Sequence, residues 1–259
     1  MEAIILTKER AVATIRLNQP DLRNALTTQL KEELAVALED VARDDATRAV
    51  IITGTGKAFC AGGDLKRLSS GNASPIVHRA SIDRMNHIVL SLASLDKPVI
   101  AAVNGAASGA GCSLAFAADI VLAAESARFS QAFVRVGLAP DAGTSYFLPR
   151  LVGLWKAKEM IFTGDPIDAR EAERLGLVNR VFPDGDLELA ARALAERLAR
   201  GPAGALAAAK RTLNRSLSLD LATVLELEAN AQTILLTSDD FAEGARAFFE
   251  KRPPTFTGD

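Results

Sequence analysis

One carboxylate stands in the stretch "VGLAPDAGTSYFLPR", Val136 to Arg150: Asp141, between a proline and an alanine–glycine pair. Pro-Asp-x-Gly is ordinary turn chemistry, and an aspartate here can also cap a helix beginning near Thr144. Proton transfer is a third use, if other residues build a site around it. Two glycine-rich stretches offer such material. "TGTGKAFCAGGDLKRL" (Thr53 to Leu68) and "AAVNGAASGAGCSLAFAADI" (Ala101 to Ile120) each follow a strand-like run. Gly62-Gly63 precede Asp64, which fits a helix start, and Gly109-Ala110-Gly111 open the run "CSLAFAA". Small residues at a helix N-terminus leave main-chain N–H groups open to a ligand. Two such termini facing one point would hold an oxyanion, each donor contributing about 2.7–4 kcal/mol in a dry site. On composition alone, close packing of strand on helix is the simpler account of the same residues.

Other chemistries fit less well. Gly56-Lys57 lacks both the earlier glycine and the following Ser or Thr of a phosphate loop. Gly105, Gly109 and Gly111 miss the dinucleotide spacing. Cys60 and Cys112 show no metal spacing, are too few for a disulfide framework, and read as small packing residues. His78 and His87 are the only histidines, and neither sits in a zinc or triad motif. Tyr146 suits a core or helix-surface role, and Asn104 in "VNG" a turn supporting the second glycine stretch.

The elements that must position these groups alternate. "AVATIRL" (Ala11 to Leu17) has the period of a half-buried strand, and "AVIITG", "PVIAAV" and "DIVLAA" read as buried strands. "TTQLKEELAVALEDVARD" places Leu30, Leu34, Leu38 and Val41 on one helical face, with Thr27 or Thr28 as cap. A long helix is predicted over Ile76 to Leu95. Strands alternating with helices imply an α/β layer architecture with crossover connections. From about Asp186 the pattern turns almost wholly helical, with Phe241, Ala245, Phe248 and Phe249 on one face of the last helix. Hence residues 1–185 are expected to form the core and 186–259 a C-terminal helical subdomain.

The chain has 259 residues, 49% hydrophobic and 24% charged, with a net charge of −2. That length buries roughly three-quarters of the unfolded surface. The mixed charge argues against nucleic-acid or membrane-surface binding. No apolar run reaches a membrane span. The N-terminus reads as strand–turn–strand rather than a signal peptide, so a reduced, cytoplasmic setting is expected.

Taken together, "LNQPDLRNAL", "GKAFCAGGDLK", "PVIAAVNGAASGAGCSLAFAADIVLAAESARFSQ", "GLAPDAGTSYFLPRLVG", "AERLGLVNRV" and "FFEKRPPTFTG" resemble the crotonase, or enoyl-CoA hydratase/isomerase, superfamily in family order over nearly the full length. The resemblance implies an α/β spiral of repeated ββα units with a helical trimerisation region. It implies a homotrimer or a dimer of trimers, with coenzyme A arriving only as part of a thioester substrate and no separate cofactor or metal. It assigns oxyanion donation to the backbone N–H groups of Gly63 and Ala110. It places Arg23, Ala25, Ala61, Asp64, Leu65 and Lys66 near the CoA moiety. It also sets Phe248 and Lys251 along the CoA channel, although Lys251 and Arg252 serve equally well as a solvated pair closing a helix.

The departures carry the functional reading. Hydratases of this family bear two glutamates where this chain has Ser113 and Phe133. Phe133 transfers no proton and Ser113 is a poor base, so two-glutamate hydration is not expected. Asp141 matches an aspartate of the isomerases, and "DAGTSYFLPR" is most similar to the 1,2-epoxyphenylacetyl-CoA isomerase branch. One base suffices to move a proton from one carbon of a thioester enolate to another. Leu138, Ala139, Phe133 and Phe147 are expected to give Asp141 an apolar setting that raises its pKa. The expected activity is isomerisation of a ring epoxide of phenylacetyl-CoA or of a Δ3-enoyl-CoA. The alternatives are an unusual hydratase using Asp141 and Ser113, and a non-catalytic acyl-CoA-binding paralogue.

Overall fold

The computed structural model describes residues 2–71 and 73–258; Met1, Asn72 and Asp259 lie outside the described residues. Strands β1 (Ile4–Glu9) and β2 (Val12–Leu17) form an antiparallel hairpin. Its two-residue turn puts Arg10 and Ala11 at φ 50° and 63°, the backbone that matches the twist of flanking strands. Next comes helix α1 (Thr28–Arg43), capped by the Thr27 side chain on the Leu30 N–H. Leu30, Leu34, Leu38 and Val41 are all buried on it as their spacing predicts, each contributing ~1.5–3 kcal/mol.

Three successive pairs of strands then build the spiral. Strands β3 (Ala49–Gly54) and β4 (Ala58–Cys60) are followed by the short helix α2 (Leu65–Leu68) and the long helix α3 (Pro75–Ser94). Strands β5 (Val99–Val103) and β6 (Ala106–Ser108) lead into helix α4 (Ala110–Phe116). Strands β7 (Ile120–Ala124) and β8 (Arg128–Ser130) lead through a 3-10 turn, Ala132–Val136, to helix α5 (Thr144–Thr163). The first strand of each pair joins a larger sheet and the second a smaller one. The larger sheet runs β1-β2-β3-β5-β7-β10, and the smaller β4-β6-β8-β9, where β9 is Ile167–Asp168 and β10 is Arg180–Phe182. Apart from β1/β2 and β8/β9 the pairings are parallel. The three-residue strands β4, β6 and β8 are too short to show a period in sequence.

The larger sheet is covered on both faces. Ile15, Leu17, Val50, Ile52, Ala101 and Val103 pack with α1, α3 and α4 in the main core. Val12, Ile51, Ile100 and Leu122 take the other face, against Leu187, Ala191 and Ala195 of helix α7 (Leu187–Ala199), which follows helix α6 (Ala169–Arg174). So α7, although it lies beyond residue 186, packs on the sheet. The remaining helices are α8 (Ala203–Ser216), α9 (Leu221–Leu235) and α10 (Asp239–Glu250). Lys210 fastens α8 to the core: its ammonium donates to the Asp119 carboxylate at 2.7 Å and to the Leu92 and Lys97 carbonyls. Among the described residues, no helix is long and apolar enough to cross a membrane.

Candidate functional site

The first glycine stretch is held by the segment before α1. The Leu26 N–H donates to the Gly62 carbonyl at 2.8 Å, and the Ala61 N–H to the Arg23 carbonyl at 3.0 Å. Arg23 and Asn24 take left-handed backbone, φ 52° and 55°. Asn24 is fully buried: its amide donates to the Thr55 and Ala58 carbonyls and its oxygen accepts from the Gln19 N–H. Asn104 braces the same turn, accepting from the Gly54 N–H and donating to the Gly56 carbonyl. It therefore supports the first glycine stretch rather than the second. Asp64 begins α2 as its position predicts, accepting from the Arg67 N–H.

The second stretch abuts the first. Gly109, at φ 53° and ψ −123°, precedes α4, and its N–H is used by the Ser130 carbonyl. Ala110 is the first residue of that helix, so its N–H has no partner within it. A Cβ on Gly62 would lie 2.5 Å from the Ser108 carbonyl oxygen and 3.6 Å from the Ala110 nitrogen. One on Gly111 would lie 2.2 Å from the Cys60 carbonyl oxygen. Only glycine permits these approaches, which bring Gly63 and Ala110 into one neighbourhood. Among the described residues neither N–H has a backbone acceptor. Two free main-chain donors so placed can share one anionic oxygen.

Asp141 lies beside this helix. Its carbonyl accepts the Thr144 N–H at 3.0 Å, and the Thr144 hydroxyl meets the Ser113 hydroxyl at 2.6 Å, both residues fully buried. Ser113 thus pins the turn that carries Asp141. The turn continues through Ala142 and Gly143, at φ 51° and 81°. Gly143 packs on the Phe147 ring and near Val89 of α3. The residue before α5 is Gly143 and no side chain caps it, so Asp141 is not the helix cap considered from sequence. Its Oδ1 is buried with no hydrogen-bond partner. Burial pushes the carboxyl above the ordinary aspartate range, opposed by the positive charge of Lys31. Leu138 and Ala139 do not supply that burial, because both are exposed. The turn they sit on runs along the surface. Phe133 is buried, with its ring against Gly109.

The other expected residues divide. Arg23, Ala25, Ala61, Asp64, Leu65 and Lys66 gather around the first glycine stretch, with Ala25 buried and Arg23, Leu65 and Lys66 exposed. Phe248 is exposed on α10, and Lys251 closes that helix in left-handed backbone. Among the described residues no recorded hydrogen bond, ion pair or ring contact joins either to the site. Arg252 is not a free solvated cation: it pairs with Glu243 at 2.6 Å. Cys60 and Cys112 are buried thiols pushed up to about 12 by desolvation, as packing residues are. The Tyr146 hydroxyl donates to the Asn214 carbonyl, with Arg150 stacked on its ring. His87 is exposed and His78 half-buried on α3.

Sequence reasoning missed three residues here. Asn24 and Thr144 gave no signal beyond ordinary turn composition. Lys31 gave one: it lies four residues after the Thr27 cap and three before Leu34, at the margin of the apolar stripe.

Comparison with known proteins decides the kinship. A family model described as enoyl-CoA hydratase/isomerase matches residues 7–259. The chain belongs to the enoyl-CoA hydratase/isomerase family. Within that family it is 46% identical over 248 residues, 95% of each chain, to a "probable enoyl-CoA hydratase" of Rhodobacter capsulatus. It is 40% identical to the 1,2-epoxyphenylacetyl-CoA isomerase of Escherichia coli, over 100% of this chain and 99% of that one. A solved enoyl-CoA hydratase from Bacillus anthracis superposes with a TM-score of 0.95 at 37% identity, covering 99% of this chain and 100% of that one. The crotonase spiral expected from the sequence is therefore the fold, and an acyl-CoA substrate is consistent with the family.

Proposed function

We propose that this family member is an acyl-CoA isomerase working through a thioester enolate. The carrying observation is Asp141: a buried carboxyl oxygen without a partner, on a turn pinned through Thr144 to Ser113 of the helix that Ala110 opens, while the hydratase glutamate positions hold Ser113 and Phe133. The Asp141 carboxylate takes a proton from C2 of a 3-enoyl thioester. The electron pair moves onto the thioester oxygen, which the Gly63 and Ala110 N–H groups receive. The protonated Asp141 then returns the proton at C4, and the double bond shifts to C2–C3. A ring epoxide of the 1,2-epoxyphenylacetyl-CoA type is the second substrate class. Coenzyme A enters with the substrate, and no metal or redox cofactor takes part. Arg23, Ala25, Ala61, Asp64, Leu65 and Lys66 border the CoA, with Phe248 and Lys251 contributed across a subunit boundary. The working form is a homotrimer or a dimer of trimers in the cytoplasm.

The test is deuterium uptake from D₂O into a 3-enoyl-CoA, for wild type and Asp141→Asn. Uptake is expected to fall about 10²–10⁴-fold in the variant with thioester binding intact. Equal uptake in both proteins would remove Asp141 from the chemistry. A hydratase reading is favoured by the name of the Rhodobacter capsulatus relative; rapid net hydration of crotonyl-CoA would decide for it. Tight thioester binding with no exchange of any substrate would mark a non-catalytic paralogue.

A further inference from the structure

Two cations that the reaction scheme does not use meet on one hydroxyl, with no counter-ion recorded among the described residues. Lys31 sits on α1 with 6% of its surface exposed. Its ammonium reaches across to α3, where it donates to both the carbonyl and the hydroxyl of Ser81. Arg67, on α2, donates to the same hydroxyl at 3.2 Å. A serine hydroxyl accepts two hydrogen bonds and donates one. Both acceptor positions of Ser81 are therefore filled, and among the described residues its own hydrogen has no recorded acceptor. The ammonium has one N–H left and the guanidinium several. The carboxylates nearby are committed elsewhere. Glu32 pairs with Arg84 and Asp83 with Arg79. Glu33 accepts the Ala3 and Ile4 N–H groups, and Asp64 the Arg67 main-chain N–H. Burying a lysine with no anion beside it is costly, and an arriving anion relieves that cost.

The cluster stands about one helical turn from the first oxyanion donor along two elements. Leu26 bridges to Gly63, and its N–H donates to the Gly62 carbonyl. Thr27 then caps α1, and the Lys31 main-chain N–H closes the first turn on the Thr27 carbonyl. On the other side, α2 starts directly after Gly63 and Asp64 and carries Arg67. Ser81 meets both from α3, the helix whose Val89 lies near Gly143 of the Asp141 turn. With the thioester carbonyl at Gly63 and Ala110, the CoA leaves past the exposed Arg23 and Lys66. The acyl group is then the part that turns toward α3.

We propose that Lys31, Ser81 and Arg67 receive a carboxylate at the far end of the acyl group, so that the substrate is the coenzyme A monothioester of an unsaturated dicarboxylic acid. The proposal deepens the enolate reading and rests on its placing of the thioester at Gly63 and Ala110. A carboxylate fits the three donors: it only accepts, and its two oxygens can share an ammonium N–H, a guanidinium N–H and the serine O–H. A neutral alkyl end or a phenyl ring would leave those donors unpaired and the two charges facing each other.

Calorimetric titration with saturated thioesters reads this without turnover. Succinyl-, adipyl- and suberyl-CoA are compared with butyryl-, hexanoyl- and octanoyl-CoA, and with CoA alone. At the length that fits, the acidic thioester is expected to bind wild type about 10- to 100-fold tighter than its neutral counterpart. Lys31→Met should abolish that ratio while the neutral thioester still binds, and Lys31→Arg should keep most of it. Should Lys31→Met not fold, Arg67→Gln alters an exposed side chain and should lower the ratio in the same direction. A lysine that merely pins α1 to α3 would not move this ratio. No acidic thioester binding tighter than its neutral counterpart, or a ratio unchanged in the variants, overturns the proposal. So does an Arg67→Gln protein that loses affinity for CoA alone and keeps the ratio, since Arg67 would then serve the CoA phosphates. If no thioester binds better than CoA, the placing of the thioester fails first. Wild-type deuterium uptake in Asp141→Asn overturns only the base assignment and leaves the ratio standing.

Discussion

At the residue scale, Asp141 and Ser113 divide two jobs that a reading by composition could not separate. Ser113 spends its hydroxyl on Thr144 at the start of α5. Ser113→Ala should leave that threonine hydroxyl buried and unpaired, costing about 1–3 kcal/mol in urea unfolding. Uptake should fall modestly, not collapse; a collapse matching Asp141→Asn would make Ser113 a proton carrier. Asp141 has the opposite signature. Burial raises the pKa of its carboxyl, so folding disfavours the carboxylate relative to the unfolded chain. The stability this group contributes is full below the unfolded pKa and is lost as pH rises through the folded one. Asp141→Asn should therefore be more stable than wild type at neutral pH, with the difference shrinking in acid, as thermal melts at both pH values would read. Because the proposed base is the carboxylate, wild-type activity should fall on acidification with a midpoint above that of an ordinary aspartate.

At the element scale, the site depends on how closely β4 and β6 deliver their following loops. Gly62 takes φ 84° and lies against the Ser108 carbonyl. Gly62→Ala adds left-handed strain and a clash with backbone, of order 1–3 kcal/mol. It should also part the Gly63 and Ala110 amides, so deuterium uptake is expected to drop with KM changed less than kcat. An unchanged rate would show that the two loops need not touch. Further along the chain, Lys210 anchors α8 through a partly buried pair with Asp119. Lys210→Met should speed amide hydrogen exchange in α8 while leaving α1 and α3 protected.

At the scale of the whole molecule, the chain leaves much apolar surface uncovered. Trp155 is 88% exposed and Phe162 71% on α5, while Phe248 and Phe249 stand out on α10. Exposed patches of such large side chains mark association surfaces. If the proposed trimer forms through this surface, the paired substitutions Trp155→Glu and Phe162→Glu lower the mass seen by light scattering; an unchanged trimer mass would place the contact elsewhere, and a monomeric wild type would overturn the proposed assembly. The tail is tied separately: Arg252 holds Glu243, and Asp240 accepts the Thr257 and Gly258 N–H groups. Arg252 draws the Glu243 carboxyl down to about 2. That contribution is present above the unfolded glutamate pKa and is lost as pH falls through about 2.

The long elements are legible in the chain, because a buried helix or strand imprints its period on it. A cap at Thr27 or Thr28, the Leu30–Leu34–Leu38 stripe and the strands Ala49–Gly54 and Pro98–Val103 follow from local chemistry and are readable in it; the structure settles the cap on Thr27 and starts the second strand at Val99. The family motifs likewise pointed to Gly63, Ala110 and Asp141. What these residues meet is set by packing between elements. Strands of three residues carry no period, and the left-handed backbone at Arg23, Asn24 and Ala142 falls on residues whose types do not announce it. The burial of Lys31, the engagement of Ser113 with Thr144 and the exposure of Leu138 are properties of packing between elements. Local propensity does not encode them, since each depends on a partner tens of residues away or on which face of a turn meets solvent.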